Sequence, residues 1–586
     1  MRYLRMLSNS VVAATLGASY VMVLVLQLNP TLSLHPRRLL PLALTVGVFY
    51  AAHLTVIFYV WLVVRQLFAR ELFSPAWASV AVLSWLGAAA AAAGALLMWA
   101  NLRTFSLVLT ADTVDEIARG MLALVASASL FAVIGLLRAH SRARSRAVWA
   151  FLMAVVAIGS VAAPIALRGP GRAPVLETHP IDAPLEVASA GRQSRVTILA
   201  IDAGSLDVIT GAAADGRLPN FGRVLDAGAV MHLATLHPTS AEAVWTAVAT
   251  GKLPQKNGVR SAGVYHLARG GEPLQLLPDY CFAHALVRFG LVTEAPHGSA
   301  ALRTRPFWSI LSALGIPVAV VGWPLTHPAP AVRGYLVSDA YPRLIATPSA
   351  IEDTSFVYPP ELRAAVADAV NGETATFPAA IDAATLVPAA RGMVNETPGR
   401  IDQTFDQIAR GLAPNHPARV TVVRYSSLDP IGHYYLRYAM PLAFGDVTDD
   451  ERRRLGSVLE AHYGFIDAAI GRAIAALGPD DLLLVVSGYG MEPLGFGKRM
   501  LEKMIGEPDL SGTHEGAPDG FLMAYGGSVA RAQLLPRGSV VDLLPTMLYF
   551  LGLPIGRDMD GYARTDLFHA AYTDEQPITF IPTYDR

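Results

Sequence analysis

The sequence is poor in cysteine and in charged residues. Its single cysteine, Cys281, excludes an intrachain disulfide and any cysteine-rich metal motif. Only 16% of the 586 residues are charged and 53% are hydrophobic, a composition too apolar for an ordinary soluble protein of this length. The formal net charge is -1, and the only dense basic stretch is one arginine-rich loop, so nucleic acid is not an expected partner. Membrane-spanning segments are the first expectation from this composition.

Long apolar runs are concentrated in residues 1–167, which we predict to be a transmembrane helical domain. Each of five windows is about long enough to cross a ~30 Å hydrocarbon core as a helix, and their interiors lack Asp, Glu, Lys and Arg. The windows are Ser10–Leu28, Leu39–Val64, Trp77–Ala100, Gly120–Leu137 and Ala147–Leu167. We therefore expect an integral protein of a bacterial-type inner or plasma membrane, with membrane lipids as partners.

The placement of arginine predicts the orientation of these spans. One set of loops carries Arg2, Arg5, Arg65, Arg70, Arg138, Arg142, Arg144 and Arg146, and the opposite set carries only Arg37, Arg38, Arg103 and Arg119. By the positive-inside bias the N-terminus is cytoplasmic, so five crossings place the rest of the chain outside the cytoplasm. If the first span is instead a cleaved signal peptide, the four remaining spans leave the C-terminal part outside as well.

A second domain is predicted after a linker. Residues 168–194 contain four prolines and no sustained hydrophobic period, which indicates an exposed linker. In residues 195–586 short apolar runs alternate with helical patterns, which predicts an α/β domain with a mostly parallel sheet between helix layers. The predicted strands are Val196–Ile201, Val318–Val321, Val420–Val423 and Leu482–Val486, and the predicted helices are Leu218–Ala227, Pro306–Leu314, Arg400–Leu412 and Glu451–Leu477.

Polar residues follow the predicted strands, at the edge where sheets of this class bind ligands. Asp202 follows the first strand, Asp429 follows the third, Ser487 and Tyr489 follow the fourth, and His514 precedes another apolar run. Asp429 and His433 are four residues apart, so a helical turn would place a carboxylate and an imidazole on one face. Both groups bind zinc or a similar divalent ion. An N-capping aspartate beside a solvated histidine is the alternative interpretation.

Eight motifs between Val196 and Phe568 follow one another in the order found in a known family. They are ILAIDAG, LPNFGRVLDAGA, HPTSAEAVWTAVATGKLPQKNGV, FWSILSALGIPVAVVGWPLTHPA with GYLVSD, SLDPIGHYYLRY, SGYGM, GTHEGAPDGFLMAYG and VDLLPTMLYFLGLPIGRDMDG. On these motifs the domain resembles the alkaline phosphatase superfamily, in its type I phosphodiesterase/nucleotide pyrophosphatase branch. The sulfatase branch is set aside, because Cys281 lies in DYCFAHALVR without the proline and arginine of that branch's motif.

The resemblance implies two metal ions, usually zinc, that bridge an attacking Ser or Thr and the phosphoryl group. Asp429, His433 and His514 match the three ligands of one ion, and Asp202 matches the first ligand of the other. Two ions held in this way clamp both the attacking and the leaving oxygen of an in-line displacement.

The sequence departs from the family pattern at two places. Gly488 and Tyr489 stand where the remaining ligands of the second ion are expected, so we expect that ion to be lost. The nucleophile position falls on Ala241, which has no side-chain oxygen. Ser240 and Thr239 are the neighbouring hydroxyls that could serve instead, and direct attack by an activated water is the alternative.

A one-ion site is the expectation that remains, because three ligands with an open fourth position are typical of catalytic zinc. Tyr489 either donates a hydrogen bond to substrate or fills the vacated metal pocket. His237 and Glu242 flank the nucleophile loop and could lend replacement ligands. Residues 261–304 and 339–398 are predicted cap insertions that shape the substrate pocket.

Two functions are compatible with these residues. The first is a membrane-anchored, metal-dependent phosphoesterase, phosphodiesterase or phospho-head-group transferase that acts outside the cytoplasm on a phosphate-ester or lipid-linked substrate. The second is a non-catalytic protein of the same fold that binds a lipid, glycan or protein partner. The presence of Asp429, His433 and His514 favours the first, and the departures at Gly488 and Ala241 favour the second.

Overall fold

The computed structural model describes residues 1–68, 74–140, 146–170, 193–342, 355–371, 398–505 and 507–585. Most of the predicted linker and of the predicted cap at 339–398 lies outside these residues, as do Arg70, Arg142 and Arg144. The described chain divides into two compact units. The first contains the described part of Met1–Leu176 together with Gly263–Pro296, and the second contains the described parts of Glu177–Ala262 and His297–Arg586.

Long apolar helices dominate the first unit. They are α1 Arg2–Leu28, α2 Pro36–Leu42, α3 Val48–Phe68, α4 Val80–Phe105, α5 Ala111–His140 and α6 Arg146–Arg168. A π-helical segment, Ala43–Gly47, joins α2 to α3, so Pro36–Phe68 forms one apolar stretch of 33 residues. The described residues thus contain five helices long and apolar enough to cross a membrane. The predicted number of long apolar helices is confirmed, and these helices suggest a membrane-anchored protein.

Small residues allow the membrane helices to pack closely. A Cβ atom at Gly17 in α1 would lie 2.9 Å from a methyl group of Leu54 in α3. A Cβ atom at Gly94 in α4 would lie 3.1 Å from Leu124 in α5 and 3.2 Å from Tyr20 in α1. Helix contact inside a bilayer depends on such packing, so these two glycines set the approach of the helices.

Short strands and helices alternate through the rest of the chain. The strands are β1 Val196–Ile201, β2 Ala229–Ala234, β3 Gly263–Leu267, β4 Val292–Pro296, β5 Val318–Val321, β6 Gly334–Val337, β7 Val357–Tyr358, β8 Val420–Tyr425, β9 Leu482–Tyr489, β10 Glu492–Pro493, β11 Gly512–Thr513, β12 Asp519–Gly526, β13 Gln533–Leu534, β14 Gly538–Ser539, β15 Ile555–Gly556 and β16 Phe580–Ile581. The helices are α7 Leu206–Ala214, α8 Pro219–Ala227, α9 Ala241–Thr250, α10 Pro254–Asn257, α11 Ala285–Arg288, α12 Phe307–Ala313, α13 Arg363–Asn371, α14 Pro398–Leu412, α15 Leu428–Ala439, α16 Pro441–Phe444, α17 Asp449–Leu455, α18 Ser457–Ala476, α19 Phe496–Ile505, α20 Leu543–Phe550 and α21 Ala570–Glu575.

The second unit is organised around one large sheet. Its strand order is β13-β2-β12-β9-β1-β8-β5-β6-β7, with β14 also paired to β2. Strands β9, β1, β8, β5 and β6 run parallel to their neighbours within this central group, and β12 and β7 are antiparallel. The predicted α/β class with a mostly parallel sheet is confirmed. All eight residues of β9 are buried, as expected for a strand in the middle of such a sheet.

One predicted helix is divided in the structure. The sequence predicts a single helix over Glu451–Leu477, whereas α17 ends at Leu455 and α18 begins at Ser457. The interruption falls on Gly456, which is a poor helix former. A Cβ atom there would lie 2.5 Å from the carbonyl oxygen of Arg452, so the close approach at the break requires glycine.

Residues 263–296, most of the first predicted cap, group with the membrane helices. Strands β3 and β4 form an antiparallel hairpin, and α11 lies between them in the chain. Apolar residues of this segment and of α1–α3 share one buried cluster; its members include Val25, Leu42, Tyr265 and Leu286. The segment therefore folds as part of the first unit, although its sequence lies inside the second domain.

Candidate metal centre

Three parallel strands deliver the candidate residues to one edge of the sheet. Strand β1 lies between β8 and β9, and Ile201 pairs with Tyr425 on one side and Ser487 on the other. Asp202 follows β1 directly, and Tyr489 is the last residue of β9. Parallel strands present their carboxyl ends at the same edge, so the side chains that follow these strands meet there.

Asp429, His433 and His514 come together at this edge. One ligand atom from each of the three lies within 4.8 Å of the other two. The Nε2 atoms of His433 and His514 are 3.5 and 3.4 Å from Asp429 Oδ1. Asp429 occupies the first turn of α15, and His433 lies one turn later on the same helix. His514 arrives from the segment after β11, which no local pattern places beside α15.

The hydrogen bonds of His433 determine which nitrogen faces Asp429. Its Nδ1 lies 2.9 Å from the carbonyl oxygen of Gly512, and a carbonyl can only accept, so Nδ1 carries the proton. In the neutral ring the lone pair is then on Nε2, the atom directed at Asp429. A backbone carbonyl that fixes the tautomer in this way is the usual support of a metal-binding histidine.

The three residues fit a divalent metal ion. Asp429 Oδ1 is buried and has no hydrogen-bond partner among the described residues, although an unpaired carboxylate oxygen is costly to bury. A cation between this oxygen and the two imidazole nitrogens would remove that cost. One carboxylate and two imidazoles form a donor set of zinc or a similar ion. Among the described residues, Asp429, His433 and His514 are the group of three possible ligands that lie close enough together to hold a metal ion.

Asp402 supports the turn that carries Asp429. Its fully buried carboxylate accepts hydrogen bonds from the backbone N–H groups of Ser426 and Ser427, at 2.7 and 3.1 Å, and from the Ser427 hydroxyl. Burial raises the pKa of Asp402 to about 7, against the effect of these donors. Asp402 lies in α14, and the sequence gives no sign of its role because the turn it holds is more than twenty positions away.

Tyr489 lies beside the cluster as a neutral phenol. The side chain is fully buried, and its hydroxyl donates a hydrogen bond of 3.4 Å to Asp429 Oδ2. Burial, followed by the charges of Asp202 and Asp429, raises the Tyr489 pKa well above its ordinary value. The adjacent Gly488 has no room for a larger side chain, because a Cβ atom there would lie 2.4 Å from a methyl carbon of Val244.

The structure does not bring Asp202 into the three-residue cluster. Its carboxylate is buried, and both oxygens accept hydrogen bonds from the guanidinium of Arg424 at 3.0 and 2.5 Å. The indole Nε1 of Trp245 donates a further bond of 2.7 Å. Burial lowers the pKa of Arg424, but the charge of Asp202 and its hydrogen bonds outweigh this and hold the pKa above its ordinary value.

Arg424 is the functional candidate that the motif comparison does not identify. It lies within β8, five residues before Asp429, where its charge interacts with both Asp202 and Tyr489. Its N–H groups make three hydrogen bonds, two to Asp202 and one to the carbonyl oxygen of Gly322. A guanidinium has five N–H donors, so two remain for a ligand. Arg424 lies near the end of a buried strand, where a charged residue is unusual. This is the sequence signal that could have identified Arg424 as a functional candidate.

The hydroxyls near the expected nucleophile position have structural partners. Thr239 is buried and donates to the carbonyl oxygen of Leu236 at 2.7 Å. Ser240 is the N-cap of α9 and accepts from the backbone N–H of Ala243 at 3.3 Å. Thr239 thus stabilises the loop, and Ser240 caps the start of α9.

Glu242 and His237, the two possible replacement ligands, differ in their environment. His237 is exposed, whereas Glu242 lies in the first turn of α9 and burial raises its pKa to about 7. The charges of Arg424, Asp202 and Asp429 all act on Glu242, which places its carboxyl near the cluster. Neither residue belongs to the group of three that could hold an ion.

Comparison with known proteins gives one result at the level of a family. Residues 196–543 match the sequence model of a family described as Type I phosphodiesterase / nucleotide pyrophosphatase. The matched region contains every residue of the cluster and the Asp202–Arg424 pair. No curated protein matches the chain.

Proposed function

The chain belongs to the type I phosphodiesterase/nucleotide pyrophosphatase family, and on that premise we propose that it is a membrane-anchored, metal-dependent phosphodiesterase with one ion. The observation that carries the proposal is the convergence of Asp429, His433 and His514 around a buried carboxylate oxygen that has no hydrogen-bond partner among the described residues. Members of the family are phosphoric ester hydrolases, and this site keeps the three residues that match the ligands of one metal ion.

Asp429, His433 and His514 would hold the ion. Bound there, a divalent ion supplies Lewis-acid chemistry, polarising a phosphoryl oxygen and lowering the pKa of a water molecule. Further hydrogen-bond donors are provided by the protein. Arg424 is permanently protonated and has N–H donors to spare, so it donates to the oxygens of the phosphoryl group and orients it. Its pairing with Asp202 holds the guanidinium in one position.

Water is the attacking group in this proposal. Ala241 offers no oxygen, and the hydroxyls of Thr239 and Ser240 are engaged in hydrogen bonds that maintain the loop and helix α9. Glu242 is the neighbouring carboxyl whose pKa of about 7 suits proton transfer near neutral pH. We assign it the role of accepting the proton of the attacking water.

The proposal includes the side of the membrane and the substrate class. The arginine bias supports a cytoplasmic N-terminus and a phosphodiesterase domain outside the cytoplasm, which for a bacterial-type inner or plasma membrane is the periplasmic or external side. A bundle of five spans exceeds what anchoring requires, and this supports a lipid-linked phosphate ester as substrate. Transfer of the phosphoryl head group to an acceptor other than water is the related reaction.

A non-catalytic binding function is the second candidate. Val244 closes the space beside Gly488, and Ala241 replaces the nucleophile. These two observations favour a site that binds a phosphate ester without cleaving it.

Turnover by the full-length chain distinguishes the two functions. The purified protein, in detergent and supplied with zinc, is assayed with bis-p-nitrophenyl phosphate. Asp429→Asn is the test variant, and Asp574→Asn, which changes an exposed carboxylate in α21, is the matched control. Turnover that disappears in Asp429→Asn and persists in the control supports the phosphodiesterase. Tight metal binding without turnover of this diester or of lipid-linked diesters supports the binding protein.

A further inference from the structure

We propose that residues 263–296 form a membrane-interface element, whose aromatic side chains Tyr280, Phe282 and Phe289 insert among the lipid head groups. This inference is independent of the catalytic proposal, because it concerns the first unit alone. The segment lies inside the family match at 196–543 but packs with the membrane helices. The contacts of the segment with those helices indicate whether its exposed side chains meet water, protein or lipid.

Two buried asparagines attach the segment to helix ends. Asn29, immediately after α1, accepts from the backbone N–H groups of Gln275 and Leu276 at 2.7 and 3.0 Å and donates to the carbonyl oxygen of Leu276 at 2.8 Å. Asn101, near the end of α4, accepts from the N–H of Asp279 at 2.8 Å and donates to its carbonyl at 3.1 Å. Without these two side chains, the backbone N–H and C=O groups of the buried loop would lack hydrogen-bond partners.

These attachments are at one end of the bundle. The first and third candidate spans run in the same direction across a membrane, so the ends of α1 and α4 emerge on the same side. The second span begins on that side, and there Glu272 pairs with Arg38 and also accepts from the N–H of Ser33 at 2.9 Å. The segment therefore covers the end at which spans one and three leave the membrane.

The charge that ends the second apolar stretch indicates the level of the membrane boundary. Within Pro36–Phe68 the described residues have Arg65 in the last turn. About 20 helical residues cross the ~30 Å hydrocarbon core, so counting back from Arg65 puts the opposite boundary near Thr45. The hydroxyl of Tyr50 is 3.3 Å from Cys281 Sγ, and the rings of Phe49 and Phe289 are 6.3 Å apart. Both contacts place the segment at the boundary.

Three large aromatic side chains of the segment are largely exposed. Tyr280, Phe282 and Phe289 are 66%, 71% and 65% exposed. Tyr280 and Phe282 have positive φ values of 61° and 57°, a strained conformation for bulky residues. Thr104 near the end of α4 donates a hydrogen bond of 3.2 Å to the Tyr280 hydroxyl, while the exposed rings of Tyr280 and Phe282 would have an unfavourable environment in water.

The surroundings indicate lipid as the partner. Aromatic residues are enriched at membrane–water interfaces, where an apolar ring and a polar edge are both accommodated. Trp99 of α4 is exposed at the same end, with the guanidinium of Arg103 5.2 Å from its ring. Arg37 in α2 and Arg288 next to Phe289 are exposed and complement anionic head groups. Aromatic rings with arginines beside them are typical of an interface belt.

Spin-label accessibility in liposomes tests the proposal. In a Cys281→Ala background, which removes the only cysteine, the full-length variants Phe282→Cys and Phe289→Cys are each labelled with a nitroxide. The protein is reconstituted in phosphatidylethanolamine and phosphatidylglycerol. Collision rates with oxygen and with a water-soluble nickel complex then report the depth of the label. Val60→Cys, an exposed position in the middle of α3, is the deep reference, and free label in buffer is the aqueous reference.

We expect both labels to have depths between the two references, at the level of the head groups. Nickel accessibility equal to that of the free label would overturn the proposal. Shielding from both oxygen and nickel would also overturn it, because such shielding indicates a protein partner. The two positions are measured separately, so a folding failure at one leaves the other as a test, with gel filtration against the parent as the control for folding.

Discussion

The guanidinium of Arg424 and the carboxylate of Asp202 form a buried two-bond ion pair, with Nη2–Oδ2 and Nε–Oδ1 distances of 2.5 and 3.0 Å. In the family pattern Asp202 is the first ligand of a second metal ion. Here its partner is an arginine contributed by the neighbouring strand β8. The two charges cancel within the pair, but the guanidinium makes only three hydrogen bonds to the protein and so keeps two N–H donors that do not depend on metal.

Removing the guanidinium should reduce both stability and turnover. Arg424→Met leaves the Asp202 carboxylate buried without its cation, which we expect to cost about 3–5 kcal/mol in the free energy of unfolding. The double variant Arg424→Met with Asp202→Asn should recover most of that stability, because no buried charge remains. Turnover should fall about 10²- to 10³-fold in both variants, since the donor to the phosphoryl group is absent from each.

The control for this cycle is the ion pair between the exposed Arg195 and Asp481. Arg195→Met should change stability by about 1 kcal/mol or less. Denaturant unfolding and diester hydrolysis are the two measurements. Full turnover in the double variant would show that Arg424 serves only to neutralise Asp202.

Asp402 should act on the metal ion through the turn it holds. Asp402→Ala removes the acceptor of two backbone N–H groups and the Ser427 hydroxyl, so Asp429 loses its fixed position. We expect zinc affinity to fall about 10- to 100-fold, measured by competition with a chromogenic chelator. Asp368→Ala, at an exposed carboxylate of α13, is the control. Unchanged affinity in Asp402→Ala would mean that Asp402 has only a folding role.

The pH profile should report Glu242. Its pKa is raised to about 7 by burial, so it is protonated and unable to accept a proton at acid pH and becomes a base as the pH rises. We expect kcat/KM to increase with pH through about 7. Glu242→Gln should lower kcat/KM about 10²- to 10⁴-fold and remove this rise, whereas the exposed control Glu361→Gln should do neither. The same rise in Glu242→Gln would assign the titration to another group.

Alanine at Ser240 should affect helix α9 and spare the chemistry. Loss of the N-cap bond to Ala243 should cost about 0.5–2 kcal/mol of stability, with turnover retained at temperatures where the protein is folded. Thr239→Ala should likewise retain turnover. Trapping with a ³²P-labelled diester checks the assignment, because a covalent phospho-enzyme that disappears in either variant would identify that hydroxyl as the nucleophile.

Local patterns in the sequence predict the parts of this fold that depend on local physics. The β-branched runs give β1 and β5 with their observed bounds, and the apolar windows give the number of spans. The spacing of Asp429 and His433 predicts their shared helix face. The motif order supplies His514, which the fold brings to the same point across some eighty positions of chain.

The remaining features depend on contacts that no local pattern encodes. The Asp202–Arg424 pair joins residues 222 positions apart, and Asp402 serves a turn 24 positions away. The packing of residues 263–296 depends on Asn29, just after α1, and Asn101, within α4, and neither is marked by its local sequence. A family match also predicts empty space where a metal-ligating side chain is missing, whereas Val244 fills the space beside Gly488.

Metal content of the purified full-length protein tests the central claim most directly. After equilibration with zinc and removal of excess metal, mass spectrometry of the metal should give about one ion per chain, and Asp429→Asn and His433→Ala should each give almost none. The Asp202→Asn variant should keep its ion. Two ions per chain in the wild-type protein, or one ion that survives in Asp429→Asn, would contradict the account.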